Sequence, residues 1–423
     1  MAVRGLHRLA GKIGAPVISQ GLTAGTSLLL QIVAARTLGL TEYGSFAVFL
    51  AVLVSATALY TGYVGDSLAV LDRHDPVTRP ALVTSALAAL VLAFAGGLAT
   101  SLILRDGDFG TALLYAAMVV GWLAEETFRR LLIARQEFWK LVGNDVAYLL
   151  GTFAALGAWS LTARTVTLPM IFAAMGVGTV AAIVTGFAQV PAAELRRVRP
   201  GRAGLRAVAS FAGWRSLHAT LRPAAMLASR VLVANLVSLT AVGILETGRL
   251  VVAPLQVVIN GAGSFLLAGF AAHERGGRGA GNLATRAAWL LVGVTVGGGA
   301  VLSVFAHPLG RLMTGQEVDP LLLLGWVAYL GVWAAGLPYV TEVVARKLSR
   351  AVFTIRLVDS LAGLALALAA LLAGAPVAAV PWLMALGGLY SVLRLRSLAR
   401  RTRAERPERS RIDLEATVRI PHV

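Results

Sequence analysis

Twelve apolar runs, most of them longer than the ~20 residues a helix needs to cross a bilayer, dominate this 423-residue sequence. They fall at about 16–36, 44–71, 80–104, 109–134, 141–162, 168–190, 208–237, 241–271, 285–306, 320–345, 351–373 and 376–397. In hydrocarbon every backbone N–H and C=O must find a partner inside the protein, so only helices or closed barrels can span it. Barrel strands alternate apolar and polar residues. These runs do not alternate, which predicts an all-α integral membrane protein. The longer runs are expected to tilt or to reach past the hydrocarbon. Composition excludes the other classes: 57% of residues are hydrophobic and 14% charged, where a soluble domain carries ~25% charged. Neither a disordered chain nor an ordinary soluble enzyme is built this way.

Charge sets the orientation. The chain has 38 Lys and Arg against 21 Asp and Glu. A nucleic-acid binder gathers such an excess on one wetted face. Here it sits in the gaps between apolar runs, as on the cytoplasmic side of a membrane protein. With the N-terminus inside, 29 basic residues fall in inner segments and four (Arg36, Arg105, Arg164 and Arg311) in outer loops. This predicts an even span count with both termini cytoplasmic. The opening MAVRGLHRLAGKIG is basic, precedes an apolar run and lacks a small-residue cleavage site, so it reads as a retained signal anchor. With no cysteine in the chain, disulfides and thiolate chemistry are excluded. The six histidines show no metal spacing, and no phosphate-binding loop is present. No metal site and no enzymatic activity are expected.

The chain reads as a duplication. Residues 31–46, QIVAARTLGLTEYGSF, align without gaps to 230–245, RVLVANLVSLTAVGIL. The shared core is L-T-x-x-G: Leu40, Thr41 and Gly44 against Leu239, Thr240 and Gly243. A second match pairs LLIARQ (131–136) with EVVARK (342–347). The expected organisation is a six-helix bundle over 1–190, a basic cytoplasmic linker over 191–207, a second six-helix bundle over 208–400 and a disordered tail over 401–423. Six spans per repeat give both repeats one orientation, hence a pseudo-twofold axis along the membrane normal with a cavity between bundles. The arginines of the tail suit contact with anionic membrane lipid.

The stretch ARTLGLTEYGSFAVFLAV (35–52) resembles the junction between the first two spans of bacterial polysaccharide and O-antigen exporters, the Wzx-type flippases of the multidrug/oligosaccharidyl-lipid/polysaccharide superfamily. Arg36, Leu38, Gly39, Tyr43, Gly44 and Phe46 carry the likeness. RRLLIARQEFWKLVGNDV (129–146) resembles the loop after their fourth span. The resemblance implies a MATE-like, two-lobed flippase in the bacterial cytoplasmic membrane. It would move undecaprenyl-pyrophosphate-linked sugars for surface polysaccharide biosynthesis, alongside polysaccharide polymerase machinery and without a bound cofactor. A proton or sodium gradient would drive it. The sequence departs from two branches of the superfamily: lipid II flippases usually have fourteen spans, and drug exporters often carry an acidic residue in the first span, where 16–36 has none.

Polar residues within the spans mark candidate contacts. In the seventh span Arg215, His218, Arg222 and Arg230 fall within an arc of ~120° at ~100° per residue and rise over ~22 Å. Intramembrane charges usually face a watery cavity, and guanidinium groups suit pyrophosphate. Pro223 in the same span is a candidate kink. Gln20, Thr23, Ser27 and Gln31 form one stripe on the first span; they can hydrogen-bond sugar hydroxyls or pack helices. The repeat offset of 199 carries Thr23 onto Arg222 and Gln31 onto Arg230. Glu246, Arg249, Gln256 and Asn260 share a face of the eighth span, with Arg249 a further substrate contact and Glu246 a structural partner or proton-responsive group. Asp66 and Asp359 complete the candidates for ion coupling. Glu125, Glu126, Arg129, Arg130, Asn144 and Asp145 read as a gate or packing network near the inner ends of their spans. The alternatives are a multidrug or cation exporter of the same superfamily, a membrane enzyme acting on lipid-linked glycans, and a membrane scaffold.

Overall fold

The computed structural model describes the backbone of residues 2–162, 165–195, 199–275, 282–346 and 348–404; side chains are described from residue 14 on, except 195, 264–265, 267–268, 271–275 and 404. Arg164, Lys347 and the tail from 405 lie outside the described residues. The described chain is all-α, with no strand. Its helices are α1 (Ala2–Thr37), α2 (Gly39–Tyr60), α3 (Asp66–Val70), α4 (Thr78–Leu104), α5 (Phe109–Ala134), α6 (Phe138–Thr162), α7 (Leu168–Gln189), α8 (Ala192–Leu195), α9 (Leu205–Leu236), α10 (Leu239–Arg275), α11 (Leu283–Val304), α12 (Ala306–Thr314), α13 (Pro320–Ala345), α14 (Ser349–Leu372) and α15 (Ala379–Ala404). Between α2 and α3 the chain continues through a wide π-turn, Thr61–Gly65. Each of the twelve apolar runs lands on a long helix, α2 and α3 together forming the second. Among the described residues nine helices are long and apolar enough to cross a membrane. The three other long helices are α5, α9 and α15, which carry the clustered intramembrane and terminal arginines. The segment between the ninth and tenth apolar runs contains α12. Helix α9 runs through Pro223 as one helix.

The chain divides into two compact units, Met1–Glu246 with Met313–Gly315, and Thr247–Leu312 with Gln316–Val423. The division falls within α10, because α9 packs on α2 inside the first unit.

In the first unit α5 lies against α4 and α7, and α6 against α7 and α1. Phe49, Tyr115 and Phe172 join α2, α5 and α7, with ring centroids 4.6–5.1 Å apart. The buried Tyr115 hydroxyl donates to the Phe49 carbonyl at 2.7 Å, satisfying the polar tip that burial would otherwise penalise. The repeated L-T-x-x-G residues meet one another. Thr41 and Thr240 share a hydrogen bond of 2.7 Å. Gly44 abuts the Leu239 carbonyl and Gly243 abuts that of Leu40, each closer than a Cβ would allow. The contact is reciprocal, residue for residue, as an approximate local twofold axis passing between Thr41 and Thr240 requires.

One end of this unit is basic. Glu194 of α8, with a side chain only 7% exposed, accepts from Arg73 at 3.2 Å and Arg135 at 3.2 Å and lies 3.7 Å from His74. Arg79 donates to the carbonyls of Ala193 and Glu194, and Lys140 to that of Gln189. Three connecting segments are thus braced on one carboxylate. Burial pushes the Glu194 carboxyl up, but Arg73, His74 and Arg135 outweigh it and hold it below the ordinary carboxylate value. A depressed pKa stabilises the fold above the unfolded-state value and loses that contribution as pH falls through the folded one. Glu194→Gln is therefore expected to lower the thermal midpoint by several degrees at neutral pH. The difference from wild type should narrow as pH is taken from neutral to about 3, below the ordinary carboxylate range. A difference unchanged at that pH would assign the brace to packing instead of charge.

In the second unit α13 packs on α11 and α15, and α14 on α15. Its core gathers Phe270, Ala288, Tyr339, Val343, Val352 and Leu395. Arg135 and Arg346, paired by the second repeat match, are the C-cap residues of α5 and α13. Each binds nearby carboxylates: Arg135 holds Glu137 at 2.8 Å, and Arg346 holds Glu342 at 2.7 Å. Cations there also suit the helix dipole.

Candidate functional site

Two residues of the stripe on α1, Thr23 and Ser27, face a cavity of about 470 Å³ inside the first unit, bordered by α2, α5, α6, α7 and α9. Thr23, Thr26 and Ser27 line it from α1, Thr57 and Thr61 from the α2 segment, and Trp122, Glu125, Arg129 and Arg130 from α5. Leu50, Leu53, Val54 and Met175 supply an apolar wall, and Asp145 and Tyr148 come from α6. Helical spacing explains the grouping: Trp122, Glu125 and Arg129 recur at three and four residues, so one face of α5 presents them together.

Charges converge at its floor. Arg129 Nη1 lies 3.4 Å from Asp145, and Arg129 Nε lies 3.7 Å from Glu126 and 4.0 Å from Glu125. Arg129 Nη2 donates to Thr23 Oγ1 at 3.3 Å. Arg130 donates to Glu126 at 2.6 Å, and Thr61 donates to the same carboxylate at 3.1 Å. Ser19 of α1 donates to Asp145 through a short hydrogen bond. Glu125, Glu126 and Asp145 are all at most 5% exposed. Three carboxylates against two guanidinium groups leave one carboxylate in excess. The indole Nε1 of Trp122 and one oxygen of Asp145 are buried and make no hydrogen bond among the described residues. Trp122 packs edge-on against Tyr148, with centroids 5.2 Å apart. This floor can bind a polar or charged group and can exchange partners within itself.

The predicted contacts separate into groups. Thr23 and Ser27 line the cavity. Gln31 is buried and donates back to Ser27 at 3.1 Å, and Gln20 is exposed. Ala219 of α9 lines the same cavity one turn before Arg222; Arg222 and His218 are half-buried. Arg230 is buried and donates to the buried Glu246 at 2.7 Å. Arg215 binds Asp66 at 2.6 Å, with its guanidinium 5.5 Å from the Phe211 ring centre. In the second unit Arg249 is half-buried. Asp359 there accepts from Arg356 at 3.2 Å and Ser360 at 3.1 Å, with Arg356 stacked 4.6 Å over Trp333. Asp66, Glu246 and Asp359 are each held by an arginine.

Sequence reading missed the role of Arg129 and Asp145 in this cavity. Their i,i+4 pairs were legible, and both pairs on α5 are present. That α1 brings Ser19 and Thr23 to the same cluster was not, because α1 and α6 are 100 residues apart in the chain. Among the described residues no cluster of His, Cys, Asp and Glu could hold a metal ion.

Known structures share this arrangement of helices. A multidrug resistance MATE family transporter of the MOP superfamily, inward-facing, superposes with a TM-score of 0.69 at 14% identity, covering 92% of this chain and 98% of that one. Lipid II flippase MurJ in an inward closed conformation gives 0.68 at 11%, covering 91% and 86%. An outward-facing MATE family transporter gives 0.64 at 12%, covering 92% and 94%. The fold is MATE-like. No family model and no curated protein matches the sequence. At these identities the likeness concerns the fold alone and does not single out the polysaccharide-exporter branch that the sequence resembles.

Proposed function

We propose that the protein is a flippase of lipid-linked oligosaccharide, carrying an undecaprenyl-pyrophosphate-linked sugar across the bacterial cytoplasmic membrane by alternating access. The observation that carries this reading is the mixed lining of the first-unit cavity, where hydroxyls and two guanidinium groups stand together with leucine, valine and methionine. Hydroxyl-rich walls suit sugars, and guanidinium groups suit phosphate oxygens. The MATE-like fold supports the reading, because one protein that shares it is a lipid II flippase. Arg222, one turn beyond the lining residue Ala219 on α9 and outside the lining itself, is the cation assigned to meet the diphosphate as it enters. Ion coupling is assigned to the cluster of Glu125, Glu126 and Asp145, where one carboxylate exceeds the cations; Asp66, Glu246 and Asp359 are each balanced by an arginine.

The test places the purified protein in liposomes with a fluorescent oligosaccharide on undecaprenyl diphosphate and adds a membrane-impermeant quencher. Wild type is expected to accelerate loss of leaflet protection. Arg222→Ala is expected to slow it about tenfold, the kinetic equivalent of one charge-assisted hydrogen bond of ~1.5 kcal/mol. No acceleration by wild type, with proton or sodium gradients and several glycans tried, overturns the reading.

The excess carboxylate, with Trp122 and Tyr148 beside it, favours a second reading: an exporter of organic cations coupled to protons. Accumulation of a cationic dye in proteoliposomes under a proton gradient, without glycolipid transfer, would select it.

A further inference from the structure

The second repeat match sets one register for three helices of each unit. Helices α5, α6 and α7 begin at Phe109, Phe138 and Leu168, and α13, α14 and α15 begin at Pro320, Ser349 and Ala379, each 211 residues on. The N-caps correspond as well: Asp108 and Asp319 each accept from a backbone N–H of the first turn. In this register Trp122 of the first unit is equivalent to Trp333 of the second, Asp145 to Arg356 and Tyr148 to Asp359. Glu125 is equivalent to Gly336, and the remaining charges on this face of α5, Glu126, Arg129 and Arg130, to Leu337, Val340 and Thr341.

The second-unit copy carries its own cation. The Arg356 guanidinium lies 4.6 Å from the centre of the Trp333 ring and 3.2 Å from Asp359. Gly336 makes the room: a Cβ there would stand 3.0 Å from Arg356 Nη2. One guanidinium against one carboxylate leaves this pair neutral. The first-unit copy keeps the indole but has an acid where the second has Arg356. Trp122 lines the cavity of about 470 Å³, a volume within the ~300–1,000 Å³ of sites that enclose a small ligand. The floor holds Glu125, Glu126 and Asp145 against Arg129 and Arg130, one carboxylate more than cations. Two oxygens of lining residues are also left over. Thr26 Oγ1 and Asp145 Oδ1 are buried without a hydrogen bond among the described residues, in residues 3% and 4% exposed. The first unit thus lacks what the second supplies from its own chain: one further positive charge, over the indole and beside a carboxylate.

We propose that the first-unit cavity selects a lipid-linked glycan whose first sugar, next to the diphosphate, carries a free protonated amine, seated over Trp122 with its N–H groups on Asp145 and Thr26. The inference rests on the flippase reading and names the class of its sugar. An ammonium over an indole face is attracted by the ring quadrupole, most strongly where water is excluded. It is a donor only, with three N–H groups, and so matches the two oxygens left without a hydrogen bond. It also offsets the excess carboxylate, which would otherwise repel the diphosphate of the same molecule. An N-acetylated sugar brings no charge to this balance, and a uronic acid adds a further negative one.

The test uses full-length protein in liposomes at about pH 6.5, where an aliphatic amine is protonated. Two fluorescent probes share one disaccharide on undecaprenyl diphosphate; the first sugar is 2-amino in one and 2-acetamido in the other. Wild type is expected to transfer the amine probe with a half-saturating concentration at least tenfold lower, ~1.4 kcal/mol, the size of one desolvated cation–π contact. Trp122→Leu should bring the two probes within twofold of each other. Trp122→Phe, which keeps a weaker ring face, should leave the ratio between. The ratio is taken within one preparation, so loss of folded protein cancels. Equal half-saturation of both probes by wild type overturns the proposal while the flippase reading stands. Transfer of neither probe, with proton and sodium gradients tried, overturns the flippase reading and this proposal with it. A full preference retained in Trp122→Leu places the amine elsewhere and overturns its assignment to this cavity. Uptake of the free amino disaccharide, without lipid, as fast as transfer of the lipid-linked probe would make the ligand a soluble cation and overturn the proposal as well.

Discussion

Replacing Arg129 by methionine is expected to abolish transport and to destabilise the first unit by ~3–5 kcal/mol, the usual cost of removing one partner from a buried ion network. Its guanidinium stands against Glu125, Glu126 and Asp145 and also holds Thr23. Without it three buried carboxylates share Arg130 alone, and Arg130 already bonds Glu126. The charge account predicts a rescue. Arg129→Met combined with Asp145→Asn removes one charge of each sign and should regain most of the lost stability. Ser19 on α1 keeps a polar partner in the asparagine, and Thr23 keeps its bond to the Ser19 carbonyl. Transport should stay low in the double variant, because a guanidinium that would meet the phosphate is gone. Arg129→Lys should give an intermediate midpoint, since an ammonium cannot reach four partners at once as a planar guanidinium does. Thermal midpoints in detergent and leaflet transfer in liposomes separate the two effects. A single Arg129→Met variant as stable as wild type would remove the cluster from the account of the fold. A double variant with full transport would remove Arg129 from the account of the site.

Gly44→Ala is expected to be nearly as costly as that loss, although it adds one methyl group. Its Cβ would overlap the Leu239 carbonyl oxygen and stand 2.8 Å from the carbonyl carbon and 3.0 Å from the Gly243 nitrogen. All three atoms are backbone, so no side chain can rotate away. Overpacking of this kind costs ~1–3 kcal/mol and more where the backbone must part. The reciprocal geometry predicts that Gly243→Ala has a matching effect, because its Cβ meets the Leu40 carbonyl in the same way. The two changes touch one contact, so the double variant should cost less than their sum. Gly25→Ala is the control: nothing lies within 4 Å of its added Cβ, and alanine in a helix gains ~0.5–1 kcal/mol over glycine. Equal midpoints for Gly44→Ala and Gly25→Ala would show that the crossing tolerates separation.

The sequence was read most securely where the bilayer leaves few choices. Apolar runs too long for a soluble core, without strand alternation, left helices as the only way to satisfy the backbone, and each run lies on a long helix. The repeat was legible because the L-T-x-x-G residues are short-range and identical; the structure gave them a reason, since Gly44 and Gly243 each meet the backbone of the other's helix. Ion pairs at i,i+4 on α5 were legible for the same cause, helical spacing. Local periodicity says which residues share a face and nothing about what that face meets. So the stripe Thr23–Ser27 was visible, while its junction with Arg129 and Asp145 was not. Arg230 read from sequence as one rung of an arginine ladder or as a structural partner of an acid such as Glu246; the turn between α9 and α10 folds Glu246 back onto it, and the pair is buried. The bilayer and the helix period determined the elements and their faces. Packing between distant helices alone decided which charges share a cavity, since the energy of an ion depends on its neighbours in space and not on its neighbours in the chain.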